Sequence, residues 1–195
     1  MKYPDISAAL APVIKAFEEI GIQYYLGGSI ASSAFGIART TLDADMIADL
    51  KPHHVRSLVE RLELTYYIDE QMIVDAIKMG SSFNMIHLDT MFKIDVFLLK
   101  NDAYAKSAFQ RRKKDTFEAE SGALELYLAS PEDILLHKLY WFKIGGNVSE
   151  RQWGDVLGIL KVQADSLDNG YLRYWANDMG VTDLLDKAIH EATTE

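Results

Sequence analysis

Residues 26–50 read LGGSIASSAFGIARTTLDADMIADL, and the fold is decided within them. Just upstream, Ile22 to Leu26 is short and rich in β-branched and aromatic residues, which predicts a strand. Gly27-Gly28-Ser29 predicts a tight turn, and Ile30 to Phe35 a short helix. Glycines let a backbone approach a ligand closely, and a helix N-terminus presents unpaired N–H groups. The turn therefore suits a triphosphate, although the same turn also serves as plain structure. Leu42 to Leu50 predicts a second strand. On it Asp43 and Asp45 stand at i and i+2 and so point to one face, with Asp49 in the same parity at the strand's end. Two like charges side by side repel. A divalent cation relieves that repulsion, and Mg2+ takes carboxylate and phosphate oxygens. The alternative for the pair is a solvated strand edge.

Working outward, Lys93 to Leu99 reads as a strand whose Ile94, Val96 and Leu98 form an apolar face. Asp95 lies on the other face, between Lys93 and Phe97. A carboxylate in such a segment costs stability unless it is paired, ligated or exposed. Phe83 to Leu88 and Phe92 to Leu99 predict a hairpin around Asp89-Thr90. Residues 6–20 carry Leu10, Val13, Ile14, Phe17 and Ile20 at helical spacing, and Gly21 stops that helix. Further helices are expected at His53 to Leu64, Glu70 to Met79 and Ala103 to Gln110. Short strands are expected at Phe117 to Ala119 and Leu124 to Ala129, joined through Ser121-Gly122. Ser130-Pro131-Glu132-Asp133 reads as a helix start: a cap, a proline at the first helical position, and two acids facing the positive helix end. Beyond it lie helices over about 131–144, 151–164, 168–178 and 181–193. A boundary there separates residues 1–130, an α/β (α+β) domain, from a helical C-terminal subdomain, 131–195.

The chain has 195 residues, 49% hydrophobic and 25% charged, which is an ordinary globular composition. There is no cysteine, so disulfides, thiolate metal sites and thiol nucleophiles are excluded, and a reducing cytoplasm is the expected location. No apolar run is long enough for a membrane helix, and MKYPDISAAL lacks the look of a secretory signal, so no membrane association is expected. The net charge of −9 argues against non-specific coating of nucleic acid. One segment runs against it: Lys100 to Lys114 carries six basic residues and one acid, Asp102, densest at Arg111-Arg112-Lys113-Lys114. It reads either as a solvated loop or as a docking strip for RNA or another phosphate-bearing acceptor. His54, His87 and His137 show no zinc-like spacing, and Ser29 has no hydrolase-triad context.

Taken together, the Gly-Ser turn, the acid-x-acid strand separated from Ser29 by thirteen residues, and the later acid Asp95 resemble the signature of the nucleotidyltransferase superfamily, which includes DNA polymerase β and the minimal nucleotidyltransferases. The G-G-S with a following F-G, the R-T-x-x-D-x-D, and SPEDILLHKLYWFKIGG followed by Arg151 and Asp155 are similar to the abortive-infection toxin branch of AbiE type. One departure is Ala44 and Met46, where that family often has isoleucine or leucine.

The resemblance implies a mixed, mostly antiparallel sheet flanked by helices and a Mg2+-dependent transfer of NMP from an NTP to an acceptor hydroxyl on RNA or protein, with Mn2+ an alternative ion. It implies Asp43, Asp45 and Asp95 as the catalytic and metal-binding acids, and Gly28 and Ser29 as ligands of the β- and γ-phosphates. Lys138 is either a phosphate-facing base or a solvated helix lysine. Arg39 pairs either with phosphate or with Asp43 or Asp45. A toxin of this branch would have an antitoxin partner. Two other functions fit the same fold: an inactive interaction protein, and a small-molecule, antibiotic-type nucleotidyltransferase, for which an acidic surface suits a cationic acceptor.

Overall fold

The structure is a computed structural model and describes residues 6–119 and 122–194. In chain order its elements are α1 (Ile6–Ile20), β1 (Tyr24–Leu26), α2 (Gly28–Phe35), β2 (Asp43–Ala48), α3 (Val55–Leu62), β3 (Tyr66–Tyr67), α4 (Glu70–Met79), β4 (Ser82–His87) and β5 (Lys93–Leu98). They continue with α5 (Ala103–Gln110), β6 (Lys113–Ala119), β7 (Gly122–Leu128), α6 (Pro131–Ile144), α7 (Glu150–Gln163), α8 (Asn169–Asp178) and α9 (Thr182–Thr194). The chain divides into two compact units: residues 1–27 with 41–128, and residues 28–40 with 129–195.

The first unit is built on a seven-stranded sheet of order β3-β4-β5-β2-β1-β7-β6. It is mixed: β2 runs parallel to β5 and β1 to β7, while β1/β2, β3/β4, β4/β5 and β6/β7 are antiparallel. Strict alternation along β2 and β5 makes the sheet two-faced. Ala44, Met46, Ala48, Ile94, Val96 and Leu98 are buried on one face, while their neighbours in sequence are only partly covered or exposed. That buried set forms a core with Leu10, Val13, Ile14 and Phe17 of α1, Leu58 and Leu62 of α3, and Ile73 of α4. Tyr66 on the short edge strand donates its hydroxyl to the Ala9 carbonyl at 2.8 Å, which ties α1 to that edge. At α4, Asp69 accepts from the Met72 N–H and Gly80 closes the helix at φ +59, a left-handed position that glycine takes without steric cost.

Several boundaries differ from the sequence expectation, which also had no strand at Tyr66–Tyr67. The helix expected from His53 starts as a tight turn at Pro52–His54 and becomes α-helical at Val55. β6 starts at Lys113 and β7 at Gly122, both earlier than expected, so Lys113 and Lys114 belong to an edge strand and not to a loop. Of the expected Ser121-Gly122 joint, Ser121 lies outside the described residues.

The second unit packs α2 with α6–α9. Ser130 caps α6 by accepting the Asp133 N–H at 3.2 Å while donating to its carboxylate at 2.6 Å, as the Ser-Pro-Glu-Asp start implies. The two acids do more than face the helix end. Both are buried; Glu132 accepts the Asp168 N–H and Asp133 accepts the Tyr171 hydroxyl, so they fasten the start of α8 to α6. The chain just past the end of α2 meets α7 almost backbone to backbone. A Cβ on Gly36 would lie 3.0 Å from the Ile159 nitrogen and 3.1 Å from the Gly158 carbonyl carbon, and one on Gly158 would lie 3.3 Å from the Ile37 nitrogen. Gly36→Ala is therefore expected to destabilise the chain by about 1–3 kcal/mol through overpacking. Thermal unfolding checks this, and an unchanged Tm would show that the helices can part without cost.

Among the described residues, no helix is long and apolar enough to cross a membrane.

Candidate functional site

In the first unit the sheet register brings the three expected acids together on one face. Asp45 stands directly beside Asp95 in the parallel β2/β5 pair, and Asp43 stands beside Lys93. Asn84 is the partner of Asp95 on the other side, across β4. The turn after β1 is held to the same strand, since the Gly27 N–H donates to the Asp45 carbonyl at 2.8 Å. All three carboxylates are half-buried on the face opposite the core.

Their charge is partly met within the chain. Thr41 donates its hydroxyl to Asp43 at 2.6 Å, and Lys93 Nζ lies 2.7 Å from Asp95 Oδ2. The hydrogen bond to Asp95 raises the Lys93 pKa above the ordinary lysine value, and the charges of Asp95, Asp43 and Asp45 raise it further. All three acids thus act on one ammonium. Sequence parity could have found this lysine, because residues 93 and 95 share a face of one strand. Among the described residues, no group of three or more acids or histidines is drawn together as a metal cluster. The donors are nonetheless all carboxylate oxygens on adjacent strands, the chemistry that suits a hard divalent ion.

In the second unit a different cluster forms. Gly28 opens α2 at φ +53, a conformation that costs other L-residues about 1–2 kcal/mol. Ser29, next in line, is buried. Its Oγ accepts from Arg39 Nη2 at 2.6 Å and from Arg151 Nη2 at 3.0 Å. Arg39 pairs with Asp155 of α7: Nε and Nη2 each reach an Asp155 oxygen at 2.9 Å. Lys138 approaches the same carboxylate at 2.7 Å and donates to Gln152 at 3.2 Å. With only 6% of its surface exposed, Lys138 is a buried, paired lysine and not a solvated one.

Burial works against ionisation of Asp155, but the hydrogen bonds from Arg39 and Lys138 outweigh it, and its pKa lies below the ordinary 3.8. Burial pulls Lys138 the other way, below the ordinary lysine range, and the neighbouring charges of Arg39 and Arg151 add to that pull against Asp155. A depressed acid pKa contributes stability that is present above pH 3.8 and is lost as pH falls through the folded-state value. Asp155→Asn should therefore flatten the acid limb of the stability curve below about pH 4. An identical acid limb in wild type and variant would remove Asp155 from the linkage.

Arg151 and Asp155 entered the sequence reading only as marks of resemblance; the structure places them at the centre of this cluster. The signal that could have found them is weak, because Arg39 and Asp155 lie 116 residues apart.

Part of the basic segment is committed to structure, at Arg112 and Lys114. Asp102 caps α5 by accepting the Ala105 N–H. Arg112 donates to the Phe109 carbonyl and to Gln23, and its guanidinium lies 4.3 Å from the Phe109 ring centre and 5.3 Å from that of Tyr127. Lys114 pairs with Glu125 at 2.8 Å. Lys113→Ser with Lys114→Ser keeps the packed Arg112 and is the cleaner probe of RNA docking. If the strip docks RNA, the log–log salt slope of RNA affinity is expected to flatten by about one unit per lost phosphate contact. An unchanged slope would leave the strip as edge-strand surface.

No family model and no curated protein matches the sequence. Among solved structures, the chain is similar to an antigenic nucleotidyltransferase-like protein from Paracoccidioides brasiliensis, with a TM-score of 0.55 at 13% identity over 95% of this chain and 92% of that one. It is also similar to ANT(2'')-Ia in complex with adenylyl-2''-tobramycin, with a TM-score of 0.50 at 15% identity over 88% of this chain and 95% of that one. At such identities the likeness is one of fold. The chain has a nucleotidyltransferase-like α/β fold with a mixed sheet, as its sequence resemblance implies.

Proposed function

We propose that the chain is a nucleotidyltransferase that moves an NMP from an NTP to an acceptor hydroxyl on RNA or protein. The observation that carries this reading is the register that sets Asp45 beside Asp95, with Asp43 on the same face. Adjacent like charges on one sheet face repel, and Lys93 meets part of that charge at Asp95. Asp43, Asp45 and Asp95 would hold Mg2+, or Mn2+ in its place. When bound, the ions supply activation of the acceptor hydroxyl and stabilisation of the leaving pyrophosphate.

On the nucleotide side, the Gly28 backbone and the Ser29 hydroxyl bind the β- and γ-phosphates. Arg39 and Lys138 support them with a positive field that Asp155 only partly cancels. Lys93 pairs with Oδ2 of Asp95, so the second carboxylate oxygen of Asp95 would be the one that helps to hold the ion. The likeness of R-T-x-x-D-x-D and of the α6 segment to the AbiE-type branch supports a toxin role, with an antitoxin as its partner. A cysteine-free chain suits a cytoplasmic setting.

A second reading is favoured by one particular likeness. ANT(2'')-Ia is seen with adenylyl-2''-tobramycin, and a net charge of −9 suits a cationic small acceptor. The two readings separate when the purified chain is incubated with each α-labelled NTP, Mg2+ and one of three acceptors: total RNA, lysate protein or a cationic aminoglycoside. Label on RNA or protein is expected. Label on the aminoglycoside alone would replace the macromolecular acceptor with the small one.

A further inference from the structure

The two arginines of the second unit are not equivalent. Arg39 is spent: Nε and Nη2 close a two-point pair on Asp155, Nη2 also reaches Ser29 Oγ, and Nη1 is directed at the Thr40 carbonyl at 3.4 Å. Its backbone is fixed too, through Ser33, whose Oγ bonds both the Arg39 N–H and its carbonyl. Arg151 is different. Among the described residues its guanidinium has no carboxylate partner, and its side-chain hydrogen bond is a single Nη2 donor to Ser29. A guanidinium carries a fork of donors suited to two-point recognition of phosphate, so most of that fork remains available.

Ser29 is oriented by the same contacts. A hydroxyl has two lone pairs and one proton. Both arginines donate to Ser29 Oγ, so its lone pairs are taken and its own O–H is left as a donor. The serine is only 4% exposed, so both contacts to its hydroxyl are sheltered. Arg151 also lines an open cavity of about 240 Å3 with Ile37, Arg39, Glu150, Gly154 and Asp155. A Cβ on Gly154 would meet nothing within 4 Å, so packing does not require a glycine at that position of α7. A mid-helix glycine is unfavourable by about 0.5–1 kcal/mol relative to alanine, and here it keeps the cavity wall low.

We propose that Arg151, anchored by Ser29, is the arginine that binds the terminal phosphates of a polyphosphate ligand in this cavity, and that Arg39 is a positioning residue. The assignment deepens the nucleotidyltransferase reading and rests on it. It separates two arginines that sequence cannot rank. Glu150 on the cavity wall opposes an anion, which sets the direction of one control.

The test uses the full chain and two probes, inorganic triphosphate and ATP, titrated calorimetrically, with Tm measured for every variant. Arg151→Ala should weaken both probes by at least about tenfold, the loss of one charge-assisted hydrogen bond or more, at unchanged Tm. Arg151→Lys should recover part of the loss, because the charge returns without the fork. Gly154→Leu should weaken binding while holding or raising Tm, a combination that a purely structural role for this wall does not produce. Glu150→Gln should tighten binding of both probes, and Arg39→Gln should lower Tm. Wild-type affinity in Arg151→Ala would overturn the assignment and leave the nucleotidyltransferase reading standing. A wild-type chain that binds neither probe would overturn both.

Discussion

Asp45→Asn is expected to reduce NMP transfer by at least about a hundredfold while the fold persists. Loss of a residue that merely supports a metal ligand already costs about 10–100-fold, and Asp45 is proposed as a ligand itself. The same change should leave Tm without Mg2+ unchanged or slightly raised. Asp45 stands beside Asp95 in the sheet, and removing one like charge relieves repulsion, while the Lys93–Asp95 pair at 2.7 Å is retained. Activity falling together with a collapsed Tm would mean that the aspartate is structural. Full activity would remove it from the metal site.

The largest stability effect is expected at Asp155. Its side chain is 7% exposed and accepts from Arg39 and Lys138 at once. Asp155→Ala leaves Lys138, itself 6% exposed, with only the Gln152 amide oxygen. Breaking a buried pair from one side costs about 3–5 kcal/mol. In a chain of this size that is a loss of roughly 6–20 °C in Tm. Arg39 is a quarter exposed and can rehydrate, so the stranded lysine carries most of the cost. Lys138→Met combined with Asp155→Leu should therefore regain much of the stability, because replacing both partners with apolar groups removes the stranded charge. A single variant within a degree or two of wild type would show that Lys138 finds water or another acceptor.

These two aspartates also show what was legible in the sequence. Asp45 was legible because the period of a strand is local: i and i+2 share a face, and the later strand with an acid amid apolar residues supplied its neighbour. The helices of the second unit were legible for the same reason, since Ser130-Pro131 and the apolar spacing are local signals. Asp155 was not. Its meaning depends on Arg39, which reaches it from 116 residues away, and a carboxylate inside the helical run 151–164 looks like any solvated acid. Lys138 failed similarly: nothing in DILLHKLYW says that the lysine turns inward, because burial of a cation depends on a partner on another helix. The edge strand β6 was read too short. Lys-Lys-Asp-Thr has no apolar alternation, since an edge strand can be charged on an exposed face and is often kept so, which protects it from pairing with other chains. Its pairing shows only in the register that sets Lys114 beside Tyr127 and lets it reach Glu125.

Position-specific label decides the reaction most directly. The wild-type chain and Asp45→Asn are each incubated with Mg2+, cell lysate, and one NTP labelled at either the α- or the γ-phosphate. Nucleotidyl transfer predicts that wild type places α-label, but not γ-label, on a macromolecular acceptor with release of pyrophosphate, and that Asp45→Asn does neither. Transfer of γ-label, or no transfer from any NTP at either position, would contradict it.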